Sequence, residues 1–197
     1  MNLAAPGAAT LLRELRRMFA PAHGFAALAV FVGLAALGSC SAVQDVLDPV
    51  HADAVAALGP EVFGLPKGPT HRPGQPCLTC HSGQGPGKSE FSVAGTVYKT
   101  KLSTEWLEGA TVTLTDAEGT IRQLTTNQTG NCLIKKSEWT PVYPMRVKVS
   151  FGGVSIDMLT HVGRSGACAD CHTDPASAAS AGHVYLVADP ANFPGGP

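Results

Sequence analysis

Hydrophobic and polar positions divide the chain into three stretches of different rhythm. Residues 24–38 (GFAALAVFVGLAALG) form an uncharged apolar run. Residues 41–58 hold apolar positions broken at Pro49, enough for a short helix or two. Residues 59–76 carry Pro60, Pro66, Pro69, Pro73 and Pro76 among glycines, which excludes both a helix and a central strand. From Phe91 onward the period changes to two. Phe91–Tyr98 alternates, and Thr111–Thr115 (TVTLT) puts Val112 and Leu114 on one face. Turns at Asp116–Gly119 and Asn127–Gly130 bracket a strand from Thr120 to Thr126, and Asn131–Lys135 continues as the next. Arg146–Phe151 alternates, Gly152-Gly153 makes a hairpin turn, and Val154, Ile156 and Met158 alternate back. His183–Val187 is a last short strand. Turn signals about every ten residues predict a mainly β chain: a small antiparallel β-sandwich with loops and short helical turns attached.

The order GTVY, GATVTLTDAEG, TTNQTGNCLI, PMRVKVSFGG, over about 91–159, resembles the carboxypeptidase-regulatory-like (transthyretin-like) β-sandwich modules of exported proteins. The resemblance implies a fold and no activity.

The apolar run at 24–38 follows Arg13, Arg16 and Arg17. It is short for a permanent membrane span and suits the apolar part of an export signal. It ends in Leu37-Gly38-Ser39-Cys40, which resembles the bacterial lipobox. That resemblance implies cleavage before Cys40 and lipidation of its sulfur. The expected organisation is therefore a lipoprotein signal over 1–39, a lipid-anchored tether and Pro/Gly-rich linker over 40–76, and a functional domain over 77–197. Several acyl chains give stable attachment where one would not. Ser41-Ala42 lacks an Asp after the cysteine, which favours the outer membrane over the inner one.

Charge adds one exclusion. The 14 basic residues against 15 acidic ones leave no basic surplus to drive nucleic-acid binding.

The chemistry lies in the cysteines and histidines. Cys77-Leu78-Thr79-Cys80-His81 and Cys168-Ala169-Asp170-Cys171-His172 are both C-x-x-C-H, the c-type haem attachment signature. Two cysteines three positions apart on a helical turn reach the two vinyl groups of one haem. The histidine that follows turns its imidazole to the iron. A zinc site built from Cys77, Cys80, Cys168 and Cys171 is the competing reading, but it gives no reason for a histidine after each pair. Redox-active CxxC pairs are a third reading, without the βαβ context they usually occupy.

Candidates for the sixth iron ligand are His71, His161 and Met158, with His51, His183 and Met145 behind them. His71 precedes its motif by six residues and His161 precedes its own by seven. Histidines so close upstream are expected to reach the neighbouring haem rather than their own. Met145 reads as packing and His183 as a surface or propionate contact. Arg72, Lys88 and Arg164 stand near the motifs as further propionate partners. Cys132 is left over and sits in a strand as a buried thiol.

The two pentapeptides resemble those of exported dihaem and multihaem c-type cytochromes. The resemblance implies two covalently bound haem c groups and electron transfer with redox partner proteins at the bacterial cell envelope. It implies an electron carrier rather than an enzyme. A dihaem peroxidase-like enzyme, or a haem-based sensor or binding lipoprotein, is the alternative, separated by whether one iron keeps an open position.

Overall fold

The computed structural model describes residues 51–173 and 176–195. The stretch expected to be an export signal, with Cys40, lies outside the described residues. Residues 51–57 are helical, with Val55 and Leu58 half-buried and the alanines between them exposed. The stretch from 59 to 76 has no helix or strand, as its prolines require.

Eight strands follow: β1 (Phe91–Thr100), β2 (Thr111–Thr115), β3 (Ile121–Thr125), β4 (Asn131–Lys135), β5 (Arg146–Phe151), β6 (Val154–Asp157), β7 (Gly166–Ala167) and β8 (Val184–Val187). They make two four-stranded sheets. One is antiparallel throughout, in the order β3-β2-β5-β6. In the other, β1 pairs antiparallel with β4 and parallel with the short β7 and β8. The fold is the mainly β sandwich expected from the alternation.

The inner faces supply the core. Val112, Leu114 and Val149 from one sheet meet Val93, Val97, Cys132, Ile134, Leu186 and Val187 from the other, with Leu107, Ala110 and Met145 between them. Met145 is 1% exposed, which makes it a packing residue. Val112 and Leu114 are buried while Thr111, Thr113 and Thr115 are half-exposed, as period two demands.

β1 organises the rest. Residues 93–98 are all buried, so both faces of this strand are covered. Val93, Gly95 and Val97 share the face toward the core by alternation. On the opposite face, Thr96 Oγ1 accepts from Gly74 N–H at 2.7 Å and donates to Asn131 Oδ1 at 2.6 Å. The linker ahead of the first C-x-x-C-H motif is thus bound to β1, and β7 leads the second motif onto the same strand.

Candidate functional site

The first pentapeptide is one turn of α-helix, Cys77–His81, entered through Pro76. Pro76 needs no N–H there, and its carbonyl accepts from Thr79 N at 3.0 Å. The loop after the helix folds back over it, with Gly87 N–H donating to Cys80 O at 2.8 Å. A Cβ on Gly87 would lie 2.4 Å from His81 Nδ1, and one on Gly85 would lie 2.5 Å from Cys80 O. Only glycine permits that approach. The returning loop brings Ser89 O to His81 Nδ1 at 2.7 Å, and Phe91 stacks on the imidazole at 4.2 Å between ring centres.

The second pentapeptide opens with a 3-10 turn, Cys168–Asp170, rather than a turn of α-helix. Cys171 N and His172 N both donate to Cys168 O, at 3.2 and 2.9 Å. Ser180 Oγ clasps Thr173, accepting from its N–H at 2.8 Å and donating to its carbonyl at 2.6 Å. That clasp brings Gly182 O to His172 Nδ1 at 2.9 Å.

Each motif histidine thus makes the same bond, from Nδ1–H to a main-chain carbonyl. A carbonyl only accepts, so the proton must sit on Nδ1. The Nε2 lone pair is left for a metal.

His71 stands beside His81, with ring centres 6.0 Å apart and planes at 60°. The expected placement of His71 next to the other motif is not what the fold gives. His71 sits by its own. Its Nδ1 also bonds a main-chain carbonyl, that of Gly68. With metal–imidazole bonds of about 2.0–2.1 Å, two imidazoles facing each other across one ion hold their ring centres about 6.3 Å apart, and a tetrahedral pair about 5.1 Å. At 6.0 Å between ring centres, the two imidazoles are close enough for both to be donors to one metal ion.

Side chains on the turn between β3 and β4 fix this histidine. Asn127 Nδ2 donates to Pro69 O at 2.8 Å, Thr129 Oγ1 to Thr70 O at 3.1 Å, and Asn131 Nδ2 to both Pro69 O and His71 O at 3.1 Å. In the sequence Asn127 and Thr129 read only as turn formers and Asn131 as the start of a strand. Their surplus amide and hydroxyl donors were the available sign of a second task. Arg72, at φ 50°, is occupied structurally. Its guanidinium bonds Gly59 O at 3.0 Å and Gln75 Oε1 at 2.6 Å, and it pairs with Glu61 at 3.4 Å.

The other candidates lie elsewhere. His161 is exposed, and Arg146 Nε donates to its Nε2 at 3.2 Å. The shallow pocket it shares with Thr115, Asp116, Ala117, Gly119, Pro144 and Arg146 includes no residue of either pentapeptide. Met158 is half-buried after β6, with its N–H bonded to Val147 O at 2.9 Å. His183 stacks on Tyr98 at 3.9 Å, so it is no loose surface side chain. His51 has a buried Nε2 without a hydrogen-bond partner. Among the described residues, His71–His81 is the single pair of imidazoles in ring contact.

Two of the motif thiols, Cys77 and Cys168, are shielded from ionisation. Burial pushes Cys77 up to about 11 and Cys168 up to about 12. Each thiol adds to the other's shift or to Cys132's, so the two motifs and Cys132 are electrostatic neighbours. A Cβ on Gly95 would lie 2.4 Å from Cys168 Sγ, so the missing side chain makes the seat for that sulfur. Cys171 is exposed. Among the described residues no three His, Cys, Asp or Glu side chains form a metal-binding group, and no helix is long and apolar enough to cross a membrane.

Compared with family models, curated proteins and solved structures, the chain matches none.

Proposed function

We propose that this chain is a dihaem c-type cytochrome that carries electrons at the bacterial cell envelope. Cys77 and Cys80 would bind one haem, with His81 as its proximal ligand. Cys168 and Cys171 would bind the other, with His172 as its proximal ligand. Cys40 would carry the lipid anchor, and redox proteins of the envelope would be the partners.

The observation that carries this reading is the shared tautomer lock. Two histidines that lie 91 positions apart, in turns of different type, each hold Nδ1 on a main-chain carbonyl. Free CxxC thiols need no such lock on a following histidine. An iron ligand does, because ring orientation and basicity set the strength of the axial bond. Bound there, each haem would supply a one-electron Fe(III)/Fe(II) couple.

The chain's own residues account for the rest. His71 is the sixth ligand we assign beside His81, held by Asn127, Thr129 and Asn131. Phe91 covers the His81 ring against water. Strand β1 carries both motifs, so the two sites share one rigid support. Bis-histidine ligation favours a lower potential than histidine–methionine, since a thioether favours reduced iron.

The test is a visible spectrum and potentiometric titration of the full chain matured with haem-attachment machinery. Two reversible one-electron couples with low-spin spectra in both oxidation states support electron transport. One iron that stays high-spin and binds carbon monoxide or peroxide would move the assignment to a peroxidase-like enzyme or a sensor. Zinc in place of haem would overturn it.

A further inference from the structure

Cys132 lies beside the first cysteine of the second motif, and Gly95 is the reason. In the β1–β4 ladder Cys132 is the cross-strand partner of Gly95. Directly paired residues point to the same face, with Cβ positions about 4.5–5.5 Å apart. Gly95 has no Cβ, and Cys168 takes that place: the Gly95 Cβ position is 2.7 Å from Cys168 Cβ and 4.0 Å from its Cα. Cys168 therefore occupies the slot where a side chain would face Cys132. Both thiols are free, and the Cys168 sulfur adds to the upward shift that burial gives Cys132. A disulfide needs Cβ atoms about 3.5–4.5 Å apart, a spacing that the 2.7 Å offset of Cys168 Cβ from the Gly95 position leaves within reach.

We propose that Cys132 and Cys168 form a disulfide in the haem-free chain under oxidising conditions, and that this bond closes Cys168 to electrophiles. The cross-link itself does not depend on the haem assignment. Its consequence, that a haem vinyl group would be among the excluded electrophiles, rests on that reading.

The oxidant is a disulfide, for which oxidised glutathione serves. Exposed Cys171 is the entry point. Exchange there releases one reduced glutathione and leaves a mixed disulfide. Cys168 attacks the Cys171 sulfur, displaces the second glutathione and closes Cys168–Cys171. Cys132 then attacks the Cys168 sulfur, forms Cys132–Cys168 and returns Cys171 as a thiol. Two protein thiols lose two hydrogens in all, and one oxidised glutathione becomes two reduced ones. The enclosed thiols are seldom ionised, so the last exchange is slow.

The experiment uses the full-length haem-free chain, incubated with oxidised glutathione and digested without reduction for mass spectrometry. The expected product is a peptide pair joining Cys132 to Cys168, lost in Cys132→Ala, with Cys168 no longer alkylated by a maleimide. Cys171→Ala, treated with diamide as a direct thiol oxidant, should still give the pair. This second variant guards against Cys132→Ala failing to fold. Oxidised chains that hold only Cys77–Cys80 and Cys168–Cys171, with Cys132 still a thiol, overturn the proposal. So does maleimide labelling of Cys168 in chains whose Cys132 is oxidised. Loss of the haem assignment leaves each of these readouts intact.

Discussion

Gly95→Ala separates steric fit from backbone conformation. Gly95 is not among the glycines with positive φ, so alanine brings no backbone strain. What it brings is a methyl carbon 2.4 Å from Cys168 Sγ and 2.7 Å from Cys168 Cβ. Ordinary contact begins near 3.5 Å, so Cys168 must retreat by about 1 Å. The retreat is opposed on its own side by Ala169, which is buried, and by the β7 pairing to Val93 and Ala94. Overpacking of this kind costs about 1–3 kcal/mol. With a urea m-value of about 2 kcal/mol/M for a small domain, the midpoint should fall by about 0.5–1.5 M. The assay is urea unfolding of the haem-free full chain, followed by circular dichroism. Gly163→Ala is the control, because nothing lies within 4 Å of its Cβ position and its φ is not positive. That substitution should be neutral or stabilising by up to about 1 kcal/mol. In haem-loaded chains, Gly95→Ala should lower occupancy of the second motif and spare the first. Equal midpoints for the two variants would refute the seating of Cys168 on β1.

Further perturbations address the remaining parts. His71→Ala should turn the first motif's haem from low-spin to high-spin at room temperature while both haems stay covalently attached, and His161→Ala should leave that site's spectrum unchanged. Asn131→Ala removes two bonds to the 69–71 backbone and leaves Thr96 Oγ1 without its buried acceptor. It should cost about 1–3 kcal/mol in urea unfolding and broaden the first haem's spectrum. Cys132 is raised from 9.0 by burial first, then by Cys168 and Cys77. Folding thus favours its protonated form, a contribution fully present below pH 9.0 and lost as pH rises above it. Urea midpoints of the haem-free chain should fall on the alkaline side, and less steeply in Cys132→Ala. An equal alkaline fall in that variant would contradict the burial of its thiol.

The sandwich was legible where side chains alternate. TVTLT, NCLIK and RVKVSF became strands with the bounds the pattern gives, because each turns its alternate apolar side chains to the core, although NCLIK buries Asn131 on its other face as well. β7 was not legible. It is two residues, Gly166 and Ala167, with almost no side chain to pattern, and its place beside β1 is set by backbone approach: a Cβ on Gly166 would lie 2.0 Å from Ser92 O. The parallel pairing of β7 and β8 was invisible for the same reason, since period two carries no strand direction. At the candidate site the pentapeptides were plain from sequence. The partner of His71 was not, because spacing of six residues suggested it could not fold back to its own motif. The Pro/Gly-rich loop from Gly68 to Pro76 makes that return, and the β3–β4 turn holds it. Cys132 was correctly read as a buried thiol, but its neighbour was hidden. Gly95 looked like one small residue in an alternating strand, and its meaning appears only when Cys168 fills the space above it.

The central claim is tested most directly by counting covalent haem. The full chain would be matured in a host with cytochrome c assembly machinery, then measured by intact mass and pyridine haemochrome spectrum on one sample. The account predicts a mass increase of two haems per chain and a haemochrome typical of thioether-linked haem, reduced to one haem by paired Cys→Ala changes in either motif. A chain at its bare polypeptide mass, with metal held by Cys77, Cys80, Cys168 and Cys171 instead, would contradict it.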